Sequence, residues 1–141
     1  MLAQNFRAEK ASERWASDIT YIHTSQGWLF LSIVMDLYSR KIVGWSMDRN
    51  MSRYLVIDAL RMAIGRRQPA EGLVHHSDRG PQYTSNEFRA ELEQHGITPS
   101  MSGSGNCYDN AVVESFFGVL KRERVNRVSY RTRAEAQSDV F

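Results

Sequence analysis

Three strand-forming runs follow one another between Trp15 and Met47 with almost no chain between them, and this narrows the available folds more than any other feature of the 141 residues. Trp15–His23 alternates, with Ile19 and Tyr21 on one face and Asp18, Thr20 and Ile22 on the other. Ser25-Gln26-Gly27 reads as a turn, and Trp28–Asp36 is apolar enough for a central strand. Leu37–Arg40 is a second short turn, and Lys41–Met47 is the third run. Parallel neighbours need a crossover of a dozen or more residues, so connections this short predict an antiparallel meander.

The remainder alternates helix and strand. Ser52 is placed to cap a helix in which Leu55/Val56, Ala59/Leu60 and Ala63/Ile64 recur every four residues, with Pro69 beyond its end. Gly72–Ser77 predicts a fourth strand, closed by the loop Asp78-Arg79-Gly80-Pro81. Thr84 with Glu87 has the capping-box pattern for a helix that turns Phe88 and Leu92 inward and stops at Gly96. Ile97–Met101 predicts a fifth strand, and Ser102-Gly103-Ser104-Gly105-Asn106 reads as the most flexible stretch. Asp109 is expected to cap a long helix, Ala111–Val125, carrying Val112, Val113, Phe116, Phe117 and Leu120, and Thr132 with Glu135 opens a last one. The order βββαβαβα predicts an α/β fold with a five-stranded mixed sheet, three antiparallel strands then two parallel, and helices on both faces.

Composition removes several classes. Hydrophobic residues are 42% and charged residues 24%, as in ordinary globular domains, and the chain is long enough to bury a core unaided. A single cysteine, Cys107, excludes an internal disulfide and a multi-cysteine zinc site. No apolar run is long enough for a bilayer-spanning helix, and the opening MLAQNFRAEK lacks a signal-peptide core, which fits a cytoplasmic setting. Residues 115–133 hold Lys121, Arg122, Arg124, Arg127, Arg131 and Arg133 against Glu123, a local +5 on a chain of net +2. A basic stripe beside a mildly acidic body suits a polyanion next to an acidic site, although a solvated helix face has the same composition.

Three acids stand out. Asp18 interrupts a strand, where Asp is disfavoured. Asp78 ends the fourth strand, where open α/β sheets place ligands. Glu114 lies one turn into a helix beside Val113 and Phe116. Carboxylates from separate rigid elements can hold two hard divalent ions about 3.5–4 Å apart, which clamp both oxygens of an in-line phosphoryl displacement. Singly, a strand-end Asp is a turn residue and a helical Glu is solvated, so composition and spacing alone define only a candidate metal site.

The segments Trp15-Ala16-Ser17-Asp18-Ile19-Thr20-Tyr21, Asp36-Leu37-Tyr38-Ser39-Arg40, His75-His76-Ser77-Asp78-Arg79-Gly80, Gln82-Tyr83 and Asp109–Phe117 resemble the catalytic core of bacterial insertion-sequence transposases related to retroviral integrases. Asp78 and Glu114 are separated by 35 residues, as in that family, and Lys121 follows Glu114 by seven, where the family carries a basic residue. The likeness runs from about Trp15 to Lys121. It implies a ribonuclease H-like fold and a DDE triad, Asp18, Asp78 and Glu114, binding two magnesium ions for which manganese substitutes. It implies metal-dependent DNA strand cleavage and strand transfer during transposition, with water or a DNA 3′-hydroxyl as nucleophile. Partners implied are DNA, as element ends and target, and a second copy in a homodimer or higher oligomer. Lys121, Asn110, Arg122 and Arg124 are the expected DNA contacts; seven residues are two helical turns, so Lys121 shares a face with Glu114.

His75 and His76 alternate faces and are expected to be structural. Asp36 competes with Asp18 but sits at a strand end, where Asp is ordinary. Cys107 is expected to pack, Asp109 to cap, and Tyr83 either to stack or to pack. Residues 1–14 read as an arm or linker remnant, and residues 15–141 as the catalytic core, shortened at its C-terminus and lacking the helix-turn-helix segments that read element ends. Two other readings remain at this stage: a ribonuclease H-like nuclease, and an inactive remnant that folds and self-associates.

Overall fold

A computed structural model describes residues 13–101, 108–125 and 128–140. The meander forms as expected: β1 (Arg14–Thr24), β2 (Gly27–Asp36) and β3 (Ile42–Asp48) pair antiparallel, with Thr24 opposite Gly27 at the first turn. Asp36 ends β2 in a turn, where its Oδ1 accepts from the Tyr38 amide at 3.1 Å. After α1 (Arg53–Arg67), β4 (Val74–Ser77) joins the other side of β1 in parallel, and β5 (Thr98–Met101) joins β4 in parallel. The sheet order is β3-β2-β1-β4-β5, so β1 is central.

Strand alternation splits the core in two. Trp15 and Val34 point to the face covered by α1 and α3 (Asn86–Gln94), packing with Val56, Leu60, Phe88 and Leu92. Ala16, Ile22, Leu31 and Ile33 point to the opposite face, where α4 (Tyr108–Glu123) and α5 (Arg133–Val140) supply Val113, Phe117 and Ala136. Helices therefore lie on both faces. Each large apolar side chain buried this way contributes roughly 1.5–3 kcal/mol. Gly44 lets β3 touch α1: a Cβ there would stand 2.2 Å from the Ala59 carbonyl oxygen.

Local chemistry corrects several boundaries. The fourth strand is shorter than Gly72–Ser77, because Gly72 has φ +97° and belongs to the turn before it. Pro81 begins a short helix, α2 (Pro81–Thr84), that the sequence reading did not anticipate. Thr84 ends that helix, and Ser85 caps α3 by accepting from the Phe88 amide at 3.1 Å. Ser52 stands at the N-cap of α1, but its side chain makes no capping bond. Asp109 lies within the first turn of α4 instead of preceding it. Thr132 does cap α5, accepting from the Glu135 amide at 3.1 Å. Arg14 opens β1, one residue before the expected strand start at Trp15, and is buried. The Ser102–Asn106 stretch, Cys107 and most of the expected N-terminal arm lie outside the described residues.

Candidate active site

The sheet brings Asp18 and Asp78 together. Parallel pairing of β1 with β4 matches Ala16 to His76, and each aspartate lies two residues further along its own chain. Adjacent strands are about 4.8 Å apart, so that offset sets Asp78, just past the carboxyl end of β4, beside Asp18 in the middle of β1. Asp18 also shares a face with Ala16, the face on which α4 packs through Val113 and Phe117. Glu114, next to Val113, emerges exposed beside that contact.

Backbone amides hold both aspartates. Asp18 Oδ1 accepts from the Ile19 amide at 2.8 Å, and Asp78 Oδ1 accepts from the Gly80 amide at 2.7 Å. A Cβ at Gly80 would lie 2.9 Å from Asp78 Oδ1, so a side chain there would push that carboxylate aside. Burial pushes the Asp18 carboxyl up to about 6; the Ile19 amide opposes this, and the negative fields of Asp78 and Glu114 add to it. The acids after β4 and on α4 thus both act on Asp18 of β1. Among the described residues, no three His, Cys, Asp or Glu side chains stand close enough together to grip one ion as they are. The donor set still fits a divalent cation: it is all oxygen, it carries unneutralised negative charge, and it is partly open to water.

The support beneath is aromatic. Tyr83, from α2, is buried with its hydroxyl near the aspartates; burial and then the charges of Asp18 and Asp78 raise its pKa well above normal. The Ser32 hydroxyl faces it and eases that shift, although the two oxygens fall outside strict hydrogen-bond geometry. Of the two readings for Tyr83, packing holds: its ring lies against Phe88 at 5.3 Å and His75 at 6.3 Å. His75 Nε2 and Ser17 Oγ are 2.7 Å apart, a buried bond linking β1 to β4 beside the site. Burial and neighbouring His76 lower the His75 pKa to about 3, so it stays neutral. His76 turns the other way, to Ser100 at 3.2 Å, as the alternation requires.

The basic residues divide. Lys121 shares the Glu114 face of α4, and its Nζ lies 4.6 Å over the Tyr21 ring. Arg122 is exposed. Arg124 is ion-paired to Asp139 of α5 at 3.0 Å. Asn110 lies in the first turn of α4. Sequence reasoning missed the Ser17–His75 bond and the aromatic neighbours of Lys121; the signal for the latter was the Ser25-Gln26-Gly27 turn, which folds Trp28 back against His23 and Tyr21.

Comparison with known proteins agrees with this architecture. The integrase core domain family matches residues 8–107. The chain is 45% identical over all 141 residues to the transposase InsF of insertion sequence IS3A from Escherichia coli K12, covering 49% of that protein. It is equally identical to the transposase of IS904 from Lactococcus lactis, covering 56% of it. The chain thus spans about half the length of the curated relatives it matches. Among solved structures it superposes with TM-score 0.76 on a chain of the simian T-cell lymphotropic virus intasome, at 18% identity over 95% of this chain and 49% of that one. It superposes with TM-score 0.67 on the HTLV-2 integrase catalytic core domain, at 21% identity over 81% of this chain and 70% of that one. Retroviral integrase cores therefore share its ribonuclease H-like fold.

Proposed function

The chain belongs to the integrase core domain family, and from that premise we propose that it is the catalytic core of an insertion-sequence transposase, cutting DNA and joining strands at Asp18, Asp78 and Glu114. What supports this reading is that the negative charges of Asp78, just past the end of β4, and of Glu114, on α4, both act on the Asp18 carboxyl in the neighbouring strand β1. The transposase relatives favour it over a plain nuclease or an inactive remnant. In this reading residues 15–141 form the catalytic core and residues 1–14 an arm or linker, and element-end recognition calls for helix-turn-helix segments besides the core.

Asp18, Asp78 and Glu114 would hold two magnesium ions, or manganese in their place, and the metal would supply activation of the attacking oxygen and stabilisation of the leaving one. The HTLV-2 core, solved in complex with magnesium, supports that choice of ion. The residues do the positioning. The Ile19 and Gly80 amides fix one oxygen of each aspartate, which orients the other outward. Asp18 must be ionised to serve as a ligand, so metal-dependent activity falls as pH drops through about 6, and a bound cation moves that fall to lower pH. Lys121 offers its charge to a phosphate beside Glu114, with Arg122 and Asn110 further along the same helix. Arg124 would reach DNA by releasing Asp139. The nucleophile is water for cutting and a DNA 3′-hydroxyl for joining. Joining two element ends to a target calls for a dimer or larger assembly, consistent with the dimeric and trimeric forms of the HTLV-2 core. No helix among the described residues is long and apolar enough to cross a membrane, and we place the protein's work on DNA in the bacterial cytoplasm, at the nucleoid.

The test is metal binding read as stability. Magnesium or manganese should raise the melting temperature of the wild type, with the rise growing as the logarithm of concentration above Kd, and the rise should vanish in Asp78→Asn. An equal rise in both proteins would remove Asp78 from the site.

A further inference from the structure

Beyond Asp18, β1 continues beside β2 without β4, which pairs it only over Arg14–Ala16. This outer half of the hairpin carries an aromatic group that the core does not use. Tyr21 is 52% exposed and Trp28 48% exposed. Tyr21 meets Trp28 edge to face at 4.8 Å, and His23 meets Trp28 at 5.1 Å. Lys121 Nζ caps the Tyr21 ring at 4.6 Å. Between this group and the segment after α4 lies a cleft of about 420 Å³, walled by Val125, Val128 and Tyr130. A cleft of that size accepts a small flat group.

Two large rings half in water, beside a cation and over an apolar wall, suit a ligand that is planar, aromatic and attached to negative charge. We propose that this cleft stacks an unpaired nucleobase of the DNA strand being processed, with Lys121 on its phosphate. The inference rests on the strand-transfer reading above. Tyr21 lies three residues along β1 from Asp18, about 10 Å of extended strand, and on the opposite face; β4 no longer flanks β1 there, and Lys121 of α4 reaches the Tyr21 ring, so one nucleotide can pass from the reacting phosphate to the rings. Every base offers a π face, so such a platform favours unpaired strands without reading their sequence. Lys121 serves both sides, since α4 also carries Glu114.

The test is fluorescence anisotropy with the chain and two labelled DNAs, one blunt duplex and the same duplex with a short unpaired extension. The wild type should prefer the extended DNA. Trp28→Ala and Tyr21→Leu should each reduce that preference about tenfold and leave blunt-duplex affinity in place, while Trp28→Phe retains most of it. Absence of a preference in the wild type overturns the proposal, as does equal loss on both DNAs in Trp28→Ala. A preference intact in Trp28→Ala, with the protein sedimenting as a smaller species, also overturns it and assigns the face to a second copy. Asp78→Asn, measured alongside, should keep the preference and lose metal-dependent cutting. If Asp78→Asn still cuts, the carboxylate reading fails, and the stacking result stands on its own.

Discussion

Asp18 is the residue on which the site's electrostatics converge, and its behaviour is predictable in sign. Its carboxyl is held at about 6, against an ordinary value near 3.8, so the folded protein disfavours the charged form. The unfolded chain ionises first as pH rises. Metal-free stability therefore falls between about pH 4 and pH 6, and the cost is fully present above that window. Asp18→Asn should stabilise the metal-free protein at pH 7 by roughly 1–2 kcal/mol, after allowance for solvent screening, and by nothing near pH 4. Thermal melts across that range check it, and a gain that persists at pH 4 would assign the effect to packing. Tyr83 makes a second residue-scale case. Its hydroxyl is buried without a well-formed hydrogen bond, so Tyr83→Phe should change stability by less than about 1 kcal/mol, whereas Tyr83→Ala should cost roughly 3–5 kcal/mol through the cavity left under the aspartates. Chemical denaturation separates the two.

At the scale of elements, the site depends on how β4 turns into α2. Gly80 donates to Asp78, and a Cβ there would crowd that carboxylate, so Gly80→Ala should displace the carboxyl and lower activity at least tenfold with little change in melting temperature. Parallel loss of both would make Gly80 a folding residue only. The strands and long helices were legible from sequence because alternation and four-residue spacing are strong signals: Ile19 and Ile22 do point to opposite cores, and Leu55, Leu60 and Ala63 are buried as spaced. Helix starts were less legible. Thr84 and Ser85 are both good caps, and only the intervening α2, set by Pro81, decides for Ser85. The meeting of Asp18 with Asp78 was not readable from spacing at all. It follows from the β1–β4 register, a pairing between residues far apart in the chain that no local periodicity encodes.

At the scale of the whole molecule, the acidic site and the basic stripe are adjacent parts of one surface. α4 carries Glu114 on one turn and Lys121 two turns later, so a negative and a positive charge share one face of a single helix. Lys121→Ala should weaken binding to any DNA sequence and lower the slope of log affinity against log salt by about one. Salt titration of DNA affinity measures this, and an unchanged slope would leave Lys121 only its contact with Tyr21. The chain spans about half of its transposase relatives, so the assay that probes the account most directly should ask little of segments elsewhere in such proteins. That assay is disintegration: a labelled branched DNA shaped like a strand-transfer product, with magnesium or manganese, given to wild type and to Glu114→Gln. Metal-dependent resolution and rejoining by the wild type, abolished in Glu114→Gln, is the predicted result. Equal activity in the two proteins would contradict the assignment of Glu114, and with it the triad on which the account rests.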